Sequence, residues 1–204
     1  MLRWLPEAPG HVPARETLLD CSFGSSRHRK TCEKLRRGQW PAAGLAFALL
    51  DDRKLIGTPR FWHIAAGSAG PALLLGPVAV APERCGEGLG TLMMERGLAA
   101  ARMRGHAAVL LVGDAPYYER FGFRQDLTQH LVMPGPVERK RFLGLELLPG
   151  ALAGAHGAVC ASIHNVAVRA DARSTAAVGV TSLPASPLPP ITETPSLLPL
   201  AAAR

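Results

Sequence analysis

The chain has 204 residues, enough for one domain with a substantial core, and its 48% hydrophobic and 19% charged residues are ordinary for a globular protein. Its 23 Lys and Arg against 16 Asp and Glu leave a formal charge of +7, which suits nucleic acid or a small anionic ligand. Aromatic residues make up only 5%, which argues against a base-stacking surface.

Cys21, Cys32, Cys85 and Cys160 are scattered, with no C-x-x-C pair and no zinc spacing. They predict neither disulfides nor a metal site, and they fit a reducing cytoplasm. The seven histidines are dispersed in the same way. Pro6, Glu7 and Pro9 come too early for a signal peptide, and no apolar run approaches ~18 residues, so no membrane span is expected.

Taken in order, Leu2 to Leu5 reads as a short strand and Val12 to Ser22 as a helix, with Val12, Leu18, Leu19 and Cys21 for its apolar face. Ser25 to Arg37 is the most basic stretch and reads first as a solvated face, second as a phosphate or nucleic-acid contact. Thr31 is a candidate cap for a helix from Cys32 to Arg37, stopped by Gly38. Gly44 to Leu50, the turn Asp51-Asp52-Arg53 and Lys54 to Ala65 form a hairpin pattern. Pro59 within its second run predicts an edge or a bulge. Gly67 to Pro71 then turns the chain into its central unit.

That unit runs from Leu73 to Gly105. Leu73 to Val80 is a short Leu- and Val-rich run stopped by Pro82, the pattern of a buried strand. Gly86, Gly88 and Gly90 follow at alternate positions. Leu89, Leu92, Met93, Gly97 and Ala100 then recur at helical spacing, with Glu95, Arg96, Arg102 and Arg104 opposite and Gly105 as the stop. Glycines at such a junction let bare backbone approach a ligand. The unpaired N–H groups and dipole of the helix start favour an anion, most often phosphate. The alternative is a loop whose glycines serve packing. Thr91 and Leu92 after Gly90 exclude a P-loop, and the Gly-x-Gly-x-Gly spacing is not the dinucleotide fingerprint.

His106 to Gly113 reads as a second buried strand, parallel to the first across a compact crossover. Asp114 is a candidate cap for a short helix bearing Tyr117 and Tyr118. Phe123 to Met133 and Phe142 to Leu148 are read as the last strands, separated by Pro134-Gly135-Pro136. From about Ala158 the chain turns rich in Pro, Ala and Ser without periodicity. This divides it into a domain over 1–157 and a flexible tail over 158–204.

Val78-Ala79-Val80-Ala81-Pro82, then Gly86-x-Gly88-x-Gly90, a helix, a strand and Tyr117-Tyr118-Glu119-Arg120-Phe121-Gly122-Phe123 resemble, in that order, the GCN5-related N-acetyltransferases (GNAT). The closest likeness is to small bacterial members, over roughly residues 10 to 155. The resemblance implies an α/β (α+β) fold: a mixed, mostly antiparallel sheet flanked by helices around a central strand–glycine loop–helix–strand unit. It implies acetyl-CoA as cosubstrate, no metal, and direct attack by an amine without a covalent enzyme intermediate. The acceptor is a small-molecule amine or a protein amine, a homodimer is compatible with the family, and the region between the first two helices, here the basic stretch Ser25 to Arg37, helps form the acceptor pocket. In that family the pyrophosphate lies on the helix start, here Cys85, Gly86, Gly88, Leu89, Gly90 and Thr91. Pantetheine enters between two splayed strands beside the backbone of Val78 and Val80. Tyr118 matches the general acid to the coenzyme A sulfur, with core packing as the alternative role. His63, Asp114 and Asp126 are candidate bases, beside a water chain or a base supplied by the substrate.

Two positions depart from the family loop, which usually reads Arg/Gln-x-x-Gly-x-Gly/Ala. Cys85 stands at its first position, with Arg84 one place early, and Glu87 brings a negative charge to the pyrophosphate. An acetyltransferase is therefore the leading reading. A degenerate GNAT domain that binds acyl-CoA weakly as a regulatory module is the second, and a basic nucleic-acid-binding protein the third.

Overall fold

The computed structural model describes residues 1–162, and the expectation of a flexible tail over the remaining residues lies outside them. Its elements, in chain order, are β1 (Leu2–Pro6), α1 (Val12–Phe23), α2 (Thr31–Arg36), β2 (Phe47–Asp51), β3 (Lys54–Ala66) and β4 (Pro71–Val80). These are followed by α3 (Leu89–Met103), β5 (Ala108–Val112), α4 (Ala115–Glu119), β6 (His130–Val132), β7 (Phe142–Glu146) and β8 (His156–Ala161). The sheet order is β1-β2-β3-β4-β5-β7, with β8 pairing β3 and β6. Only β4–β5 and β6–β8 are parallel, so the sheet is mixed and mostly antiparallel, flanked by helices as expected.

Alternation along the central strands explains why they read as unbroken apolar runs. Leu73 and Leu75 of β4 and Val109 and Leu111 of β5 join one core, which takes in Met94, Leu98 and Ala101 of α3. Leu74 of β4 and Ala108 and Leu110 of β5 join a second core on the other face, with Leu35 of α2 and Leu131 of β6. A strand covered on both faces buries both of its side-chain rows. A third core sets Leu18 and Leu19 of α1 against Leu49, Ile56 and Met93. Helix α3 lies close on β3 because Gly97 has no side chain: a Cβ there would stand 3.0 Å from the Phe61 ring. The buried stripe of α3 is Leu89, Met93, Met94, Gly97, Leu98 and Ala101, broader than the spacing alone suggested, with Leu92 and Ala100 only half-buried.

β4 and β5 pair only at Leu73↔Val109 and Leu74↔Leu110. Beyond that point β4 stays paired to β3, as far as Gly57↔Val80, and β5 stays paired to β7, through Leu111↔Leu143 and Val112↔Phe142. The sheet therefore splits between two ladders that each continue past the fork. The β3–β4 register shifts between Pro59 and Phe61: Pro59 faces Val78 while Phe61 faces Leu75, so β4 carries one residue more. This is the bulge that Pro59 predicts, and it falls where the strands part. The displaced Gly76 carbonyl accepts a hydrogen bond from the Trp62 indole at 2.6 Å.

Several expectations need correction. Thr31 opens α2 but does not cap it; its hydroxyl donates to the Pro136 carbonyl and ties α2 to the loop before β7. Val12 and Cys21 of α1 are exposed, and the buried face includes Arg15 instead, paired with Glu7 and Glu16. Asp114 stands at the start of α4, but its backbone carbonyl, not its side chain, accepts from the N–H groups of Tyr117 and Tyr118. Phe123 to Met133 is not one strand. An isolated bridge at Arg124 and a 3-10 turn at Asp126–Thr128 precede a β6 of three residues. Finally, β8 carries the ordered fold across the expected boundary at residue 157, with Val159 buried.

Candidate active site

The glycine loop leaves β4 through a 3-10 turn at Pro82–Arg84 and delivers the chain to α3. Gly86 has φ +89° and Gly88, the residue preceding the helix, has φ +76°. Side chains rarely adopt such values, so backbone conformation demands glycine at both positions. A Cβ on either would meet nothing within 4 Å, so the space beside the loop is open. The first backbone bond of α3 runs from the Leu92 N–H to the Gly88 carbonyl, 3.0 Å, and no side chain caps the helix. The N–H groups of Leu89, Gly90 and Thr91 therefore face that space with the positive end of a 15-residue helix behind them. An anion such as pyrophosphate fits this cradle.

The two departures in the loop take specific positions. Arg84 donates from Nε to Glu87 and from a terminal nitrogen to Asp51, each at 2.6 Å. Arg84 holds the Glu87 carboxyl below the usual carboxylate range and neutralises it beside the loop. Cys85 is exposed, its sulfur 3.7 Å from the Ala81 carbonyl.

Where the sheet splits, a cavity of about 510 Å³ opens between the ends of β4 and β5. Leu75 to Val78 and Leu111 to Asp114 form its floor, α4 one wall, and the segment from Phe23 to Arg36 another. Of the expected site residues, Val78 and Tyr118 line it. Val80 lies further along β4, opposite Gly57. Cys85, Gly86, Gly88, Leu89, Gly90 and Thr91 form a separate strip outside the cavity. Tyr117 joins the two regions. It lines the cavity, and its hydroxyl would lie 2.6 Å from a Cβ on Gly90. The Arg120 guanidinium sits 4.6 Å over its ring. Read from sequence as packing, Tyr117 thus also touches both halves of the site.

Tyr118 packs edge-on to Tyr117 and Phe123, and its ring fills the place a side chain on Gly113 would take. Burial first, and then the neighbouring Tyr117 and Asp114, push its phenol up to about 12, against the opposing pull of Arg141. Arg141 was not marked by any sequence signal. Its Nε donates to the Gly113 carbonyl at 3.2 Å, and it lines the cavity. Of the candidate bases, only Asp114 lines the cavity. His63 lies on β3 opposite Leu73, its ring 5.5 Å from that of His106, and Asp126 is exposed and bound by Arg124. Glu33 and Glu138 are carboxylates of the cavity wall that the sequence did not single out. The basic stretch is also a wall: Arg27, Arg29, Lys30 and Arg36 all line the cavity. Among the described residues no three His, Cys, Asp or Glu side chains gather as metal ligands, and no helix is long and apolar enough to cross a membrane.

A split mixed sheet, with a glycine-started helix beside the split, is the architecture of an acyltransferase that uses coenzyme A thioesters. Comparison with known proteins makes the class definite. Residues 42–125 match the family model of the acetyltransferase (GNAT) domain. The uncharacterized N-acetyltransferase YhbS of Escherichia coli K12 is 30% identical over 154 residues, covering 75% of this chain and 92% of that protein. The structure of Escherichia coli YhbS in complex with CoA superposes with a TM-score of 0.66 at 27% identity, over 81% of this chain and 91% of the other. A GNAT acetyltransferase from Brucella melitensis in complex with acetyl-CoA shares the fold, with a TM-score of 0.59 at 24% identity over 80% and 97% of the two chains. The chain belongs to the GNAT family of N-acetyltransferases.

Proposed function

We propose that the protein transfers an acetyl group from acetyl-CoA to an amine held in the cavity between β4 and β5. The observation that carries this reading is the parting of β4 and β5 beyond Leu74 and Leu110, beside the bare start of α3. In this reading the N–H groups of Leu89, Gly90 and Thr91 hold the pyrophosphate, with Cys85, Gly86 and Gly88 shaping the loop. Val78 and Val80 offer backbone to the pantetheine arm, which brings the thioester into the cavity. The amine attacks the carbonyl directly: a C–N bond forms and the C–S bond breaks. Asp114 is the cavity carboxylate of the three bases considered, placed to attract the ammonium form of the acceptor, which loses its proton before attack.

Tyr118 donates its proton to the departing sulfur; the attacking nitrogen loses one proton to solvent as the amide forms, and the phenolate of Tyr118 regains one from solvent before the next turnover. A phenol whose pKa is held near 12 is fully protonated at neutral pH, so the donor is always loaded. The weak-binding alternative rests on Glu87 and Cys85; of the two, Glu87 is paired with Arg84, a cation it shares with Asp51. Four free cysteines suit a reducing compartment, and the proposed place of action is the cytoplasm. The test is calorimetric titration with acetyl-CoA, together with free-thiol release in the presence of an amine panel. Binding lost in Gly88→Glu, together with amine-dependent release by the native chain, supports the reading. Binding unaffected by that substitution overturns the proposed donor site.

A further inference from the structure

The polar groups of the cavity are not evenly matched, and the mismatch points to the acceptor. Arg27 is held by Asp20, 2.7 Å from its Nε, and by Glu16. Arg36 donates to the Cys32 carbonyl at 3.1 Å and lies 3.8 Å from Glu33. Arg141 is fixed on the Gly113 carbonyl and lies 4.0 Å from Glu138. These three cations are thus fastened to the protein. Arg29 and Lys30 are not. Both line the cavity, both are exposed, and among the described residues no carboxylate lies within ion-pairing distance of either. Lys30 is set against the apolar wall, its ammonium 5.1 Å over the Phe23 ring.

We propose that the acceptor is a small primary amine that also carries an anionic group, carboxylate or phosphate, which Arg29 and Lys30 hold at the α1–α2 wall of the cavity. This rests on the acetyl-transfer reading and names its substrate class. The donor's pyrophosphate does not account for these cations, because no residue of the strip from Cys85 to Thr91 lines the cavity. The other wall carboxylates already face cations, Glu33 at 3.8 Å from Arg36 and Glu138 at 3.6 Å from Lys140 and 4.0 Å from Arg141. Asp114 stands beside Tyr118 at the end of β5, whereas the free cations come from the chain between α1 and α2. An amine drawn to the first and an anion drawn to the second would lie with nitrogen toward the thioester. A volume of about 510 Å³, part of it taken by the acetylated end of the donor, suits a small molecule of amino-acid size. Charge-assisted hydrogen bonds to guanidinium and ammonium make the recognition selective. The net charge of +7 steers such an acceptor to the protein.

The experiment is a matched acceptor panel on the full chain, with free-thiol release from acetyl-CoA as readout at low and high salt. One arm compares 4-aminobutyrate with 4-aminobutanamide, a second compares aminoethyl phosphate with aminoethanol, and spermidine is the cationic control. At least one anionic member should exceed its uncharged partner by about tenfold or more in kcat/KM, and the pair that responds identifies carboxylate or phosphate. Arg29→Gln with Lys30→Gln, two exposed positions, should bring that ratio toward one, as should high salt. Uncharged amines or spermidine used as well as the anionic members, no transfer to any member, or a ratio that survives the double substitution, would each overturn the inference. Calorimetric binding of acetyl-CoA by the same samples separates the two readings. Intact donor binding without anion preference overturns the acceptor class alone, and absent donor binding overturns the proposed function itself.

Discussion

Two parts of this molecule are suited to anions, and they are built in opposite ways. At the start of α3 the donors are backbone N–H groups, aimed by two left-handed glycines and a 15-residue helix. At the α1–α2 wall the donors are the side chains of Arg29 and Lys30, on a 3-10 turn and the residue after it. The first cannot change without changing the fold; the second can be rewritten by point substitution. A donor shared by a whole family suits the first construction, and an acceptor that differs between relatives suits the second.

Tyr118 lines the cavity at the end of β5, and its loss has the largest expected effect. Tyr118→Phe keeps the ring that packs on Gly113 and removes the proton, so kcat should fall by ~10²–10⁴ while acetyl-CoA affinity barely changes. An unaltered rate would return Tyr118 to packing. The native pH profile sharpens the point. Only the protonated phenol donates, and its pKa is raised to about 12, so the donor is present below that value and lost only above it. A decline in kcat traced to this phenol near pH 10, its ordinary range, would contradict the burial described here.

The backbone-built half can be broken by crowding rather than by charge. Gly90→Ala sets a methyl group 2.6 Å from the Tyr117 hydroxyl, so something must shift at the first turn of α3. Acetyl-CoA affinity should drop by about tenfold, a typical coupling for residues in contact. Adding Tyr117→Phe removes the clashing oxygen and should recover most of it. Failure of that rescue would mean that Tyr117 does not set the position of the loop. A smaller, few-fold loss of affinity is expected for Arg84→Ala, which frees the Glu87 charge beside the loop. The loss should fade as salt rises, because the pair is solvent-exposed. Equal affinities at low salt would show that Glu87 does not face the donor.

Outside the site, truncation tests where the fold ends. We expect a chain ending after Ser162 to keep its melting temperature, because β8 is intact. Ending it after Gly157 removes most of β8 and exposes the surface covered by Val159, which should lower the melting temperature by several degrees, about 2–4 °C per kcal/mol. Equal melting temperatures for the two would show that β8 adds nothing to stability.

The same contrast explains what could be read in advance. Glycine spacing, apolar runs and the tyrosine motif are local signals, and the unit from Leu73 to Gly105 came through with its elements in place. The wall of the cavity is not local. The resemblance brought the basic stretch between the first two helices to the acceptor pocket without singling out a residue; Arg141 and Glu138 carried no signal, and they reach the wall where Thr31 ties α2 to Pro136 and Arg141 ties the segment before β7 to Gly113, 105 and 28 residues apart in sequence. The misread stretch after Phe123 has a related cause. The single proton of the Thr128 hydroxyl is shared between the carbonyls of Phe142 at 2.7 Å and Gln125 at 2.9 Å, and Arg139 donates to the carbonyls of Thr128 and Leu131. Side chains thus occupy backbone partners that a longer strand would need, and no propensity reports that. β8 was missed because HGAVCA is short and its small residues resemble the sequence that follows.

Seen as mechanics, the sheet is a two-pronged fork. The root is the double pairing of Leu73–Leu74 with Val109–Leu110, and the prongs are β3–β4 on one side and β5–β7 on the other. Each prong stays paired to its tip, the first with a bulge at Gly76–Pro77. The distance between the tips can therefore change by bending, without rupture of a single strand-to-strand hydrogen bond. A slot paired at its root and unpaired at its mouth can admit a thioester arm beside an acceptor without unpicking either ladder.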